Sequence, residues 1–273
     1  MARFNRLSPL DNSPVELNFG HFQFVITKNN LSLPSCRLTN FARLVNGKDA
    51  FDQTYPFAAL LILNGKPYGG GAIIGKQWIL TAAHNFHRSN SADDFTIGVG
   101  SIYLDKLKIV KVEKILIHPS YIHKQKFDIA MLKLTQNLTF SNTIRPICLP
   151  EYSFEPLNSN KARVIGWGYK KFEMKKVSSV LQEVDLEIIP LERCQTIYMP
   201  LQQDIVRSQI CTWSSGKDAC SGDSGGPLFV YNGRIAVLYG IVSFGVTCAD
   251  EYPGVFTAVS YYLNWINKII QQH

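Results

Sequence analysis

The sequence contains no uninterrupted apolar run of about 18 residues, so no helix written in it is expected to span a membrane. It also lacks close C-x-x-C pairs. Its six cysteines, Cys36, Cys148, Cys194, Cys211, Cys220 and Cys248, stand well apart, which argues against zinc or dithiol redox sites, and no metal is expected. An even set spread this widely favours three disulfides formed in an oxidising compartment. Charge is scarce as well: 18% of residues are charged against 46% hydrophobic, a balance that excludes an intrinsically disordered chain. The net charge is +7, and residues 1–43 carry +3 of it. The loose lysine clusters at 106–126 and 161–176 contain no nucleic-acid motif. They read as a solvated basic face in preference to an anionic partner surface, and no nucleic acid is expected. Finally, Met1 to Asp11 holds no apolar region of about 7–15 residues, so no signal peptide is legible. The sequons at Asn30 and Asn137 agree with an oxidising compartment. The expectation is a secreted, extracellular protein whose leader lies outside this sequence, or a chain cut from a longer one.

What is present is a β pattern. A chain of 273 residues suffices for one large β domain or two smaller ones, with a sizeable core. Residues 1–14 are polar and carry Pro9 and Pro14, whereas Phe22, Phe24 and Ile26 alternate with Gln23 and Val25 and predict one strand near 19–27. From residue 44 onward, short apolar runs are separated by Gly, Pro, Asn and Asp. They fall at 57–63, 71–74, 78–81, 95–99, 109–117, 129–134, 163–167, 181–189, 227–230, 235–244 and 254–258. That rhythm predicts an all-β sandwich or barrel. Residues 260–271 break it: Tyr262, Leu263, Trp265, Ile266, Ile269 and Ile270 recur at helical spacing and predict a terminal amphipathic helix.

The most informative stretch is Lys217 to Leu228, K-D-A-C-S-G-D-S-G-G-P-L. Gly222, Gly225 and Gly226 allow a sharp turn that presents Ser224 with its own amide exposed. An acyl-transfer enzyme holds its nucleophile in such a turn, beside N–H groups aimed at a developing oxyanion. The serine then needs a base, and the base needs a carboxylate to orient it. Of the six histidines, His84 alone ends a buried-looking run, W-I-L-T-A-A-H. Asp128 begins the apolar run F-D-I-A-M-L-K-L, where a carboxylate is costly unless hydrogen-bonded. The strings L-T-A-A-H, D-I-A-M-L and G-D-S-G-G-P are similar to the motifs of the trypsin-like (chymotrypsin-fold) serine proteases. The chain order His84, Asp128, Ser224 is that family's order. For residues 44–273 the resemblance implies an all-β fold of two packed six-stranded antiparallel β-barrels with a C-terminal α-helix. A largely irregular pro-segment at 1–43 would precede it.

The resemblance also implies chemistry. His84, Asp128 and Ser224 would form the triad of a serine endopeptidase, and the backbone N–H groups of Gly222 and Ser224 its oxyanion hole. Asp218 falls at the floor of the primary pocket, with Ser243, Gly245 and Gly254 at its wall, so Arg and Lys substrates are expected. Ala219, where many members have Ser, favours Arg. Phe244 replaces the usual Trp, and Pro253 stands where sodium-activated members have Tyr. The string A-R-L-V-N-G at 42–47 is similar to the family's activation junction, with Leu44 for the usual Ile. Cleavage after Arg43 by an activating trypsin-like protease would free the Leu44 ammonium to pair with Asp223 and order the Gly222 turn. The implied disulfides are Cys36–Cys148, Cys194–Cys211 and Cys220–Cys248. Two further family pairs are replaced as pairs, by Asn85 with Gly69 and by Ala162 with Val230. The lost bridge beside His84 leaves open what makes the base rigid. Between 85 and 119 no acidic pair has calcium-loop spacing, and no cofactor is expected. The expected partners are protein or peptide substrates, the activator and macromolecular inhibitors, met by a monomer. The competing reading is a catalytically silent relative that binds a partner through the same fold.

Overall fold

The computed structural model describes residues 15–19, 22–26, 36, 55–122, 126–151, 160–169, 176–214, 222–232, 235–246 and 252–273. The chain divides into two units, 1–34 and 35–273. In the first, β1 (Val15–Phe19) and β2 (Phe22–Ile26) pair antiparallel, with Val15 opposite Ile26. The strand expected near 19–27 is β2, and β1 precedes it as the unexpected arm of a hairpin. The two residues between its arms begin with Gly20, a hairpin signal that the alternation of Phe22, Phe24 and Ile26 masks.

The second unit is built from two closed antiparallel barrels. The first contains β3 (Ala58–Leu63), β4 (Lys66–Ile73), β5 (Trp78–Thr81), β6 (Phe95–Val99), β7 (Lys108–Ile117) and β8 (Ala130–Leu134). They join in the order β3-β4-β5-β8-β7-β6. The second contains β9 (Lys161–Gly166), β10 (Gln182–Ile189), β11 (Gln209–Thr212), β12 (Pro227–Asn232), β13 (Ile235–Phe244) and β14 (Gly254–Ala258), ordered β10-β11-β14-β13-β12-β9. Closure removes the sheet edges that would otherwise invite pairing with another chain. Among the described residues two α-helices complete the unit, α1 (Leu191–Tyr198) and the C-terminal α2 (Leu263–Gln272), the latter entered through a tight turn at 259–262. Neither α1 nor β11 was expected. α1 is two turns long and buries only Cys194 and Tyr198, too few apolar positions to register as a period.

Three apolar clusters explain the arrangement. Leu61, Ile79, Ile97 and Leu132 fill the first barrel, and Val164, Leu228, Val237 and Phe256 fill the second. The third cluster lies between the barrels, where Phe57, Leu80, Trp167, Phe229 and Leu238 are buried together. Phe57 and Phe229 meet edge-on with ring centres 5.1 Å apart. Burying each such side chain contributes about 1.5–3 kcal/mol, so this seam holds the two barrels together. A polar network closes its rim. Arg163 reaches Asp185 at 2.6 and 2.8 Å and the Tyr55 hydroxyl at 2.9 Å, while Tyr55 donates to Glu183. Burial, reinforced by the bond to Glu183, pushes the Tyr55 phenol far above its usual range. Two disulfides are formed, Cys36–Cys148 and Cys194–Cys211; Cys220 and Cys248 lie outside the described residues.

Against α2, the rings of His118 and Phe127 stack at 5.0 Å, with Tyr262 and Trp265 beside them. The box holds Phe127 at φ +58°, a left-handed conformation that a bulky residue adopts only under constraint. Burial lowers the His118 pKa below its ordinary value, and its Nδ1 accepts the Ser120 N–H at 3.2 Å, which only the neutral ring can do. As pH falls through about 6.5, the unfolded chain therefore takes up this proton before the folded one. Stability should decline across that range until the lowered folded value is passed. Denaturant titrations of the wild-type chain and His118→Gln at pH 7.5 and 5.5 check it: the variant should show the smaller pH-dependent loss.

Candidate active site

Asp128 occupies the turn that leads from Phe127 into β8 and is only 4% exposed. A carboxylate buried this deeply requires donors. It has three: the His84 backbone N–H at 2.9 Å on Oδ1, and on Oδ2 the His84 Nδ1 at 2.8 Å and the Ser243 hydroxyl at 2.6 Å. Its own carbonyl accepts from the Thr257 hydroxyl at 2.8 Å. Because a carboxylate only accepts, the ring proton of His84 lies on Nδ1, which leaves Nε2 with a lone pair. His84 comes from the tight turn after β5 in the first barrel, whereas Ser243 and Thr257 come from β13 and β14 of the second. Ser243 was expected at a pocket wall. Its hydroxyl is instead on Asp128.

Ser224 lies in a turn with two left-handed glycines, Gly222 at φ +97° and Gly225 at φ +83°. A Cβ on Gly225 would sit 2.1 Å from the Thr81 hydroxyl oxygen, so no other residue fits there. The Ser224 carbonyl accepts from the Gly70 N–H at 2.8 Å and from Asn85 Nδ2 at 3.0 Å, and the Gly225 N–H donates to the Val242 carbonyl at 2.9 Å. Asn85 follows His84 directly, so the turn bearing His84 and the turn bearing Ser224 meet across the barrel interface. Asn85 is 2% exposed, and its carboxamide lies in the space beside Gly69. Ala162 and Val230 pack into the apolar core of the second barrel.

The Asp223 carboxylate points the other way and accepts the Gly168 N–H at 2.8 Å. A Cβ on Gly166 or Gly168 would come within 2.0 or 2.5 Å of Asp223 carboxylate oxygens. The string Gly166-Trp167-Gly168 is therefore a cradle for that carboxylate. The sequence reads there as the end of a strand, although the paired glycines are a readable signal. Gly245 is exposed just after β13, Gly254 opens β14 opposite Thr212, and Asn137 is exposed. Arg43, Leu44, Asp218 and Asn30 lie outside the described residues. Among the described residues no three His, Cys, Asp or Glu side chains are grouped to hold a metal, and no helix is long and apolar enough to cross a membrane.

The family model described as Trypsin matches residues 44–266. Transmembrane protease serine 11G of Rattus norvegicus is 37% identical over 259 residues, covering 93% of this chain and 61% of that protein. The Mus musculus protein of the same name is 37% identical over 232 residues, covering 83% and 55%. Hypodermin-A of Hypoderma lineatum is 37% identical over 227 residues, covering 80% and 84%. The chain thus spans less than two thirds of the rat and mouse relatives.

The short bond from Ser243 to a buried carboxylate is charge-assisted and worth about 1.5–3 kcal/mol. Ser243→Ala should lower the unfolding free energy by that amount, read from the shift in denaturant midpoint, while Thr257 keeps Asp128 anchored by its carbonyl.

Proposed function

The chain belongs to the trypsin family of serine proteases, and from that premise we propose that it is an endopeptidase made as a zymogen, cutting after Arg and, less well, after Lys. The observation that carries this reading is the buried Asp128, which accepts from both the backbone N–H and the ring Nδ1 of His84. That arrangement holds one imidazole in one tautomer with Nε2 available, which is what a general base for Ser224 requires.

In the proposed reaction, Ser224 Oγ attacks the scissile carbonyl carbon while His84 Nε2 takes its proton. The carbonyl oxygen becomes an oxyanion held by the N–H groups of Gly222 and Ser224, each worth about 3 kcal/mol in the transition state. As the C–N bond breaks, His84 returns the proton to the leaving amine and an acyl-Ser224 remains. Water then repeats the sequence, with His84 again as base. Asp128 stays ionised and orients His84 throughout.

The activation step rests on Arg43, Leu44 and Asp223. Cleavage after Arg43 frees an ammonium on Leu44, and the Gly166–Gly168 cradle leaves room for a carboxylate that must find a cation once buried. The Cys36–Cys148 bridge would keep the pro-segment, residues 1–43, attached after cleavage. In this reading Asp218 at the pocket floor, with Gly245 and Gly254 at its wall, selects the basic side chain, and a Cys220–Cys248 bridge would close that pocket. Protein or peptide substrates, a trypsin-like activator and macromolecular inhibitors are the partners of this monomeric reading. The two disulfides support a protease domain on the extracellular, oxidising side. Released or tethered by sequence beyond residues 1–273, as the word transmembrane in the rat and mouse names implies for those proteins, it would face the same side. Asn30 and Asn137 would be its glycan sites.

Limited trypsin treatment followed by an organophosphate should label Ser224 in the wild-type protein and not in Ser224→Ala. Arg43→Gln should remain folded, with the same circular dichroism, but unlabelled and inactive. A folded, trypsin-treated wild-type protein without label would support the silent binding module instead. Matched peptides should show Arg preferred over Lys by about 5- to 10-fold in kcat/KM, the worth of roughly one hydrogen bond; equal rates would refute the preference.

A further inference from the structure

We infer that Asn85 is a positioning residue that references the nucleophile to the base, taking the part of a crosslink between the barrels. The inference rests on the protease reading above and adds a residue to it. The peptide unit between Ser224 and Gly225 is a rigid plane, so whatever fixes its two ends fixes the orientation of the serine that precedes it. Its N–H end is held by the second barrel, through the Val242 carbonyl at 2.9 Å. Its C=O end is held by the first barrel, through the Gly70 N–H at 2.8 Å and Asn85 Nδ2 at 3.0 Å. A carbonyl has two lone pairs, and here both are used.

Asn85 is the member of this set that also bears on the base. It adjoins His84, whose backbone N–H is pinned by Asp128 at 2.9 Å. Its own side chain is kept in place by a second donation, to the Thr81 hydroxyl at 3.2 Å, and Thr81 in turn donates to the Gly70 carbonyl at 2.7 Å. A continuous line therefore runs from Asp128 through His84 and Asn85 to the Ser224 carbonyl, with Thr81 bracing it against β4. Its polar side chains other than His84 are buried: Asp128 is 4% exposed, Asn85 2% and Thr81 0%. A disulfide at this place would join two elements of the first barrel to each other. The carboxamide instead joins the first barrel directly to the turn of the second that carries Ser224.

The test compares activated wild type, Asn85→Ala, Asn85→Asp, Thr81→Val and the Asn85→Ala/Thr81→Val double variant, with rates referred to titrated active sites so that unfolded molecules do not count. Asn85→Asp keeps the shape of the side chain and removes its two N–H donors, which preserves a reading if the alanine variant fails to fold. The expected result is a fall in kcat of about 10- to 100-fold at little-changed KM, with the same fall in the rate of organophosphate labelling of Ser224. Thr81→Val should cost less, and less again on the Asn85→Ala background than in the wild type, because the part of its effect that runs through Asn85 is already lost. Lower melting temperature with unchanged kcat per titrated site would reduce Asn85 to a structural residue and overturn the inference alone. Absence of label in the wild-type protein would overturn the protease reading and this inference with it.

Discussion

One buried carboxylate carries the architecture of the site. Asp128 is held by groups that belong to different barrels: His84 comes from the first, and Ser243 and Thr257 from the second. A charge in an apolar seam is tolerated only while its donors stay in place, so this one penalises any slip of one barrel against the other. The aromatic contacts of Phe57 and Phe229 hold the barrels together without direction. Asp128 supplies the direction. It also explains why Phe127 sits in a left-handed conformation within a ring box, since the turn must deliver the carboxylate inward while the preceding side chain faces α2.

Much of this was legible in the sequence because it is written locally. The runs ending at His84, starting at Asp128 and flanking Ser224 are contiguous strings, and the apolar rhythm from residue 44 matches eleven of the twelve barrel strands in order. Two of the three implied disulfides fall among the described residues, and both are formed as the resemblance implied. What stayed hidden shares one property: it depends on which partner a side chain meets across the fold. Alternation places Ser243 on a strand but does not say that its hydroxyl faces Asp128. Gly166 and Gly168 look like a weak strand end until Asp223 occupies the space their missing Cβ atoms leave. β11 (Q-I-C-T) and α1 were missed because each carries too few apolar residues to register as a run or a period.

The replacements for the family's bridging cysteines follow different physics at the two places. Ala162 and Val230 substitute apolar packing within a single barrel, where burial needs no direction. Asn85 stands where direction matters, and a carboxamide supplies donors at fixed angles rather than bulk. The exchange is not symmetrical. A disulfide constrains mainly the unfolded chain, whereas a buried hydrogen bond acts only in the folded state and only if its geometry is right. Means other than a bridge therefore have to hold the backbone around His84. The packing of Gly69 and Gly70 against Ser224, Asp223 and Gly226 does so, because neither position leaves room for a side chain. The glycines of β4 and the buried Asn85 thus act at one place: close backbone contact between the barrels, with a carboxamide to set the angle.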